Sequence, residues 1–204
     1  MNPKEHWESV YQGKNDTELS WFQATPEMSR SLIATMEPLP RRVIDIGGGQ
    51  SALAGELLRL GVEEAAVLDI SRTAIERGRD RLGDRAERVR WIVADVLDPP
   101  DLGRFDLWHD RAVYHFLTDE ADRKRYVEVA GGVVVEGGHL IVATFAPSGP
   151  EKCSGLPVHR CDAERLREAF EHDFSLVRSE SETHTTPWGT PQDFTYAVFQ
   201  RNGA

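Results

Sequence analysis

The chain of 204 residues is 40% hydrophobic and 28% charged, the composition of one ordinary globular domain rather than of a disordered segment. Its formal net charge of -10 makes the surface as a whole a poor partner for nucleic acid or anionic lipid, which both require basic patches. No apolar run approaches the ~18 residues of a membrane span and residues 1–7 carry no signal-peptide core, so a cytoplasmic enzyme is the expectation.

Residues 4–12 read as a helix with Trp7 and Tyr11 four apart on one face, a core or docking surface. After the turn-rich residues 13–18, Thr25 is placed to cap a second helix with Pro26 in its first position, and Met28, Leu32, Ile33 and Met36 form its stripe. Both helices precede the first strand. Residues 1–40 are therefore expected to form N-terminal helices and a lid, the entry loop of the second helix folding over a cofactor mouth with Trp21 and Phe22 excluding water; simple packing is the competing reading.

Residues 41–51 carry the clearest motif. Val43, Ile44 and Ile46 give a strand buried on both faces, Gly47, Gly48 and Gly49 a turn that lets backbone approach a ligand, and Ser51 a cap for a helix whose free N–H groups face the same ligand. Gly47, Gly49 and Ala52 also fit the dinucleotide pattern, with Asp69 near the ribose position. Asp45 separates the two readings. Two residues before the first glycine, its carboxylate would repel a pyrophosphate, whereas it suits the ammonium and sulfonium of S-adenosylmethionine (SAM). An NAD-dependent oxidoreductase is thus the competing class.

Residues 65–70 form a second strand ending in Asp69, expected to grip ribose hydroxyls with Ile70 beside it, and Ser71 caps the helix after it. Residues 77–90 are rich in arginine, but interleaved acids make them a solvated helix face. Residues 89–96 form a third strand whose Asp95 accepts from an adenine amino group while Val96 offers its N–H. Three strands ending in Asp mark the carboxyl edge of an open α/β sheet, where ligands bind.

A fourth strand, residues 105–109, runs into the segment expected to hold the chemistry: His109, Asp110, Arg111, Tyr114 and His115. A helix starts around Asp119, Gly137-Gly138 breaks the pattern, and residues 139–145 form the fifth strand. Residues 146–158 are expected to be a functional loop over the site. Asp162 opens a helix through Phe170. Strands at 174–178 and 194–199 follow without a helix between them and should pair antiparallel. Cys153, Cys161 and His159 lack a fourth ligand and a usual zinc spacing, so no metal is expected. The fold class is α/β, a Rossmann-like doubly wound sheet of seven strands, mostly parallel with an antiparallel C-terminal strand, in a single domain over 1–204 with its core at 41–204.

In the order of these pieces the chain resembles the class I SAM-dependent methyltransferases over nearly its whole length. Asp45-Ile46-Gly47-Gly48-Gly49 matches their first motif, Asp69 the ribose acid and Ala94-Asp95 the adenine acid; Ser51 stands where many members have a third glycine. Asp106 to Ala112, with Asp122 to Tyr126, is similar to the thiopurine methyltransferase branch, and the Trp7…Trp21 arrangement to that branch and to a group of small lysine methyltransferases. The resemblance implies SAM as cofactor, held by Trp21, Asp45, Gly47, Gly48, Gly49, Ser51, Asp69, Ile70, Asp95, Val96 and His109, with Asp110 and Arg111 bordering the acceptor. For a thiol or other soft nucleophile, Arg111 could stabilise the anion and His109 or His115 take the proton; for a lysine, Trp21, Phe22 or Tyr114 could hold the ammonium. A small-molecule acceptor is favoured over a protein lysine because the chain has no extra domain for gripping a protein. Neither nucleic acid nor membrane is an expected partner, and the protein is expected to be a monomer or homodimer.

Overall fold

The computed structural model describes residues 2–203. Seven strands form one sheet: β1 (Arg42–Ile46), β2 (Glu64–Asp69), β3 (Val89–Val93), β4 (Phe105–Arg111), β5 (Val134–Phe145), β6 (Phe174–Thr185) and β7 (Pro191–Arg201). Their order is β3-β2-β1-β4-β5-β7-β6. The pairs from β3 through β5 are parallel, and β7 runs antiparallel to both its neighbours. From β1 the chain builds outward to β3 and then returns to β4 on the other side of β1. That reversal opens a crevice beyond the carboxyl ends of β1 and β4, where open α/β sheets bind ligands.

Helices cover both faces, which is why β1 and β2 are buried almost throughout. On one face α2 (Glu27–Ala34), α3 (Leu53–Leu60) and α4 (Arg72–Leu82) pack Leu32, Leu57 and Ile75 against Val43, Val67 and Leu107. On the other, α5 (Glu120–Val133) and α6 (Ala163–Phe170) pack Tyr126, Leu166 and Phe170 against Trp108, Leu140 and Phe199. The first helix, α1 (Pro3–Gly13), starts on Asn2, whose side chain accepts from the Lys4 N–H, and buries Tyr11 with Leu19 and Ala74 of α4.

Several boundaries differ from the sequence reading. Pro26, not Thr25, precedes α2, and no side chain caps that helix. β3 stops at Val93, leaving Asp95 in the following turn. β4 continues through Arg111, so Asp110 and Arg111 are strand residues. Gly137-Gly138 does not separate α5 from a later strand: β5 begins at Val134 and bulges across these glycines, its register shifting opposite Phe105 and Leu107. Within residues 146–158 a short hairpin pairs Lys152–Cys153 with Leu156–Pro157.

Phe170 is fully buried, with Tyr114 and Phe199 ring centroids 5.3 and 5.1 Å away. Phe170→Ala is expected to cost about 3–5 kcal/mol through lost burial and a cavity, read as a lower denaturation midpoint in urea with an unchanged slope.

Candidate active site at the β1–β4 edge

Side chains alternate across a strand, and β4 therefore divides the residues that follow one another in sequence. Trp108 and Asp110 point toward α5, His109 and Arg111 toward α2. Register pairs Asp45 of β1 with His109, so these two share the α2 face. His109 Nδ1 lies 2.7 Å from Asp45 Oδ1, and its Nε2 lies 2.9 Å from the Ser29 hydroxyl of α2. The ring thus bridges the Asp45 carboxyl on β1 and the Ser29 hydroxyl on α2, one nitrogen to each. All three residues are buried. His109 is consequently a clamp with both nitrogens engaged, not a free base.

The clamp leaves Asp45 Oδ2 buried without a hydrogen-bond partner. It lies against the glycine turn: a Cβ on Gly48 would stand 2.3 Å from Asp45 Oδ2, and one on Gly49 would stand 2.7 Å from Asp69 Oδ2. The turn threads between two carboxylates and tolerates no side chain. Ser51 Oγ accepts from the Leu53 N–H at 3.0 Å, at the start of α3.

Two adjoining cavities lie at this edge. The larger, of ≈ 270 Å³, is bounded by Gly47, Asp69, Ile70, Asp95 and Val96, with Pro3, His6 and Trp7 of α1 and Cys153 and Leu156 of the hairpin opposite. The smaller, of ≈ 70 Å³, is bounded by Asp45, Gly48, Ser51 and His109. Tyr11, Trp21, Ile46, Gly47 and Arg111 border both. Of the expected cofactor residues only Gly49 is absent from these walls, because it faces Asp69 and Ala74.

Asp69 is pushed up to about 7, chiefly by burial; the Ser71 N–H opposes this, and the charges of Asp45 and Glu8 add to it. The Ser71 N–H donates to Asp69 Oδ1 at 2.8 Å, and the Leu97 N–H to Asp95 Oδ1 at 2.9 Å. Arg111 Nε donates to the Tyr196 hydroxyl at 2.9 Å, and Nη1 to the Trp21 carbonyl at 3.3 Å. Its guanidinium carbon stands 4.3 Å from the Phe194 ring centre. Nη2 is buried with no hydrogen-bond partner; Glu182 Oε2, at 3.8 Å, pairs with it by charge alone.

Three expected catalytic groups are elsewhere. Asp110 is fully buried on the α5 face, accepting from the Val113 and Tyr114 N–H groups at 2.8 and 3.0 Å and from the Tyr126 hydroxyl at 2.5 Å. Burial raises it to about 6 against those hydrogen bonds, and no acceptor can reach it. Tyr114 and His115 start the 3-10 turn Tyr114–Phe116, which winds both inward. Tyr114 packs between Tyr126 and Phe170. His115 lies between Phe116 and Phe145 and is pushed down to about 3, by burial first and then by Arg111. Phe116, the next residue, does reach the cavity.

Residues of α1, of the segment after it and of α2 line the cavities: Pro3, His6, Trp7, Tyr11 and Trp21 the larger, Phe22, Pro26 and Ser29 the smaller. Glu8 accepts from the Ser71 hydroxyl at 2.8 Å and from the Thr73 hydroxyl. Partial burial would raise its carboxyl, but the Thr73 and Ser71 hydrogen bonds outweigh it and hold the group below the usual range. Arg81 ties Asp16 to the Gln50 carbonyl. His184 donates to the Ser20 carbonyl at 2.7 Å, and Gln23 to Glu182 at 3.1 Å. His6 and Tyr11 were missed as site residues: the Trp7…Tyr11 spacing predicts a shared face, but spacing does not say what that face meets. Among the described residues no group of three His, Cys, Asp or Glu side chains could hold a metal, and no helix is long and apolar enough to cross a membrane.

Residues 43–138 match the family model described as a methyltransferase domain. The eEF1A lysine and N-terminal methyltransferase of Mus musculus is 26% identical over 150 residues, covering 70% of this chain and 21% of that protein; the chain thus spans about a fifth of the length of this relative. Among solved structures, one from work on the conversion of a disulfide bond into a thioacetal group during echinomycin biosynthesis superposes with a TM-score of 0.81 at 20% identity, covering 98% of this chain and 93% of that one. The N-methyltransferase NodS from Bradyrhizobium japonicum WM9, in complex with S-adenosyl-L-homocysteine (SAH), gives 0.76 at 15% identity, covering 99% and 100%. The dinucleotide reading of the glycine turn gives way to these matches.

His109→Ala would strand the Asp45 carboxylate and the Ser29 hydroxyl in a buried site. A loss of about 2–4 kcal/mol is expected in chemical denaturation, whereas His109→Gln, which can reach at least one partner, should lose less.

Proposed function

We propose that this chain, a class I SAM-dependent methyltransferase, acts on a small-molecule thiol or other soft nucleophile. When bound, SAM supplies a methyl group activated by its sulfonium. The residues at the β1–β4 edge fit the rest of that molecule. Asp45 Oδ2, buried and unpartnered, has the charge and position to accept from an ammonium. The first N–H groups of α3, beside Ser51, can receive a carboxylate. Asp69 can take the ribose hydroxyls, with Ile70 alongside, and Asp95 the adenine amino group next to the Val96 N–H. Trp21 roofs the point where the two cavities meet.

One observation carries the choice of acceptor. Arg111 borders both cavities, and its buried Nη2 lacks a hydrogen-bond partner. A cation at the cavity wall, offset only in part by Glu182 at 3.8 Å, favours a thiolate or another nucleophile that becomes anionic as it loses its proton over a protonated amine. The reaction is an in-line displacement, so the remaining task of the protein is alignment in a site that excludes water. Trp7, Trp21 and Phe116 provide those walls, with ring centroids 5.8 Å (Trp7–Trp21) and 4.8 Å (Trp7–Phe116) apart.

A protein lysine is the second reading. The same aromatic corner favours it, since such rings attract an ammonium, as does the relative that methylates lysine. Labelled SAM offered to the protein with alkyl and aryl thiols, and separately with a lysine-rich protein, separates the two. Methyl thioether is the expected product; label in lysine with none in thiol overturns the thiol reading. Arg111→Ala should lower thiol turnover about tenfold or more, ~1.4 kcal/mol of barrier, with SAM affinity within about threefold as the control for intact cofactor binding.

The raised Asp69 gives a pH dependence with a definite sign. Before binding, its carboxyl titrates at about 7; ribose hydroxyls donating to the carboxylate pull that value down in the complex. Binding then expels a proton below neutrality. SAM affinity is expected to be about tenfold weaker at pH 6 than at pH 8 and level above that. Calorimetry in buffers of different ionisation enthalpy measures the released proton, and a flat affinity across this range rejects the ribose role of Asp69.

A further inference from the structure

Arg111 is the cation on which the acceptor reading turns, and its place is set from beyond its own strand. Arg111, Ala143 and Tyr196 stand in one row across β4, β5 and β7. Partners in register share a face of the sheet. With only a methyl at Ala143, the guanidinium extends over β5 to the Phe194 ring and the Tyr196 hydroxyl of β7. Glu182 stands beyond them, opposite Phe194 on the edge strand β6. Its Oε2 accepts from the Tyr196 hydroxyl at 3.0 Å and lies 3.8 Å from Arg111 Nη2, and its Oε1 accepts from the Gln23 side chain at 3.1 Å. Glu182 borders neither cavity, so whatever it does for the reaction it does through Arg111.

We propose that Glu182 is a positioning residue for methyl transfer: from the far edge of the sheet it holds the Arg111 guanidinium at the cavity wall and fastens the Trp21 loop to the same group. The direction of the hydrogen bonds fits that role. Burial pushes the Tyr196 phenol up to about 12, so at neutrality it keeps its proton, accepting from Arg111 Nε and donating to Glu182. The loop is tied to the same residues. Arg111 Nη1 donates to the Trp21 carbonyl, Glu182 accepts from Gln23, and His184, on the same face of β6 as Glu182, donates to the Ser20 carbonyl. An arginine side chain gives up rotamer freedom to stay in one place. The carboxylate and the phenol at its far end supply that restraint before an acceptor arrives, which lowers the ordering cost of the reacting complex.

The assignment rests on the thiol reading, and the sign of one effect decides it. The charge of Glu182 opposes that of Arg111, so if charge were its only influence, Glu182→Ala would speed the methylation of a thiol; positioning requires a fall. With labelled SAM and 2-mercaptoethanol both saturating, kcat of Glu182→Ala is expected to fall about tenfold, with SAH affinity within about threefold of wild type. Glu182→Gln, which can still accept from Tyr196 and pair with the Gln23 amide, should recover most of that loss. In an Arg111→Ala background, Glu182→Ala should cost less than about twofold more, since the group it positions is gone. A rise in kcat, a loss confined to stability or SAH binding, or losses that simply add would overturn the assignment. If the wild-type protein methylates no thiol, the acceptor reading fails separately, and Glu182 is judged by amide hydrogen exchange in the full-length protein with SAH bound. Faster exchange across residues 20–23 in Glu182→Ala, with β2 unchanged, keeps the positioning role; unchanged exchange there removes it.

Discussion

The parallel pairing of β1 with β4 sets Asp45 opposite His109, and the 2.7 Å hydrogen bond between them is the contact on which the rest of the edge depends. Burying a carboxylate is costly unless it is paired, and here one oxygen is paired and the other is kept available. The same histidine reaches Ser29, so α2 is fixed to the sheet through the candidate site rather than beside it. The glycine turn lies over this group at distances that admit no Cβ. A one-residue slip of β4 would exchange His109 for a neighbour from the opposite face and undo all three arrangements together.

The architecture was largely legible because its signals are local. β-branched runs, glycine turns and acids at strand ends recur in order, and the antiparallel end follows from two strands with no helix between them. The limits of β4 and β5 were less visible. Asp110 and Arg111 were placed beyond a strand ending at His109, yet β4 continues through them and Asp110 is satisfied by two backbone N–H groups and a phenol within the core. Gly137-Gly138 read as a break, whereas an edge-free strand can absorb the pair as a bulge.

The positions of most residues expected at the cofactor site were legible for the same reason as the fold: they lie at strand ends, in the turns after them or in the glycine turn. The chemistry was not. Five polar residues close in sequence looked like one catalytic cluster, but the alternation of β4 sends His109 and Arg111 one way and Asp110 the other, and a 3-10 turn winds Tyr114 and His115 inward. Proximity along the chain is therefore a weak guide where a strand passes into a tight turn. Conversely, His6 has no informative neighbours in sequence, and its place in the cavity depends on how α1 packs against α4.

The origin of the cavity walls has a further consequence. The side that carries Gly47, Asp69, Ile70, Asp95 and Val96 is built from β1, β2 and β3 and the turns that follow them, within the parallel half of the sheet. The opposite side comes from α1 and the Lys152–Pro157 hairpin, two peripheral pieces that hold no place in the seven-stranded sheet. The walls of the larger cavity thus come from two kinds of structure, a sheet edge on one side and peripheral segments on the other. A change in those peripheral pieces would reshape one wall of the cavity without altering the strand registers that set the other.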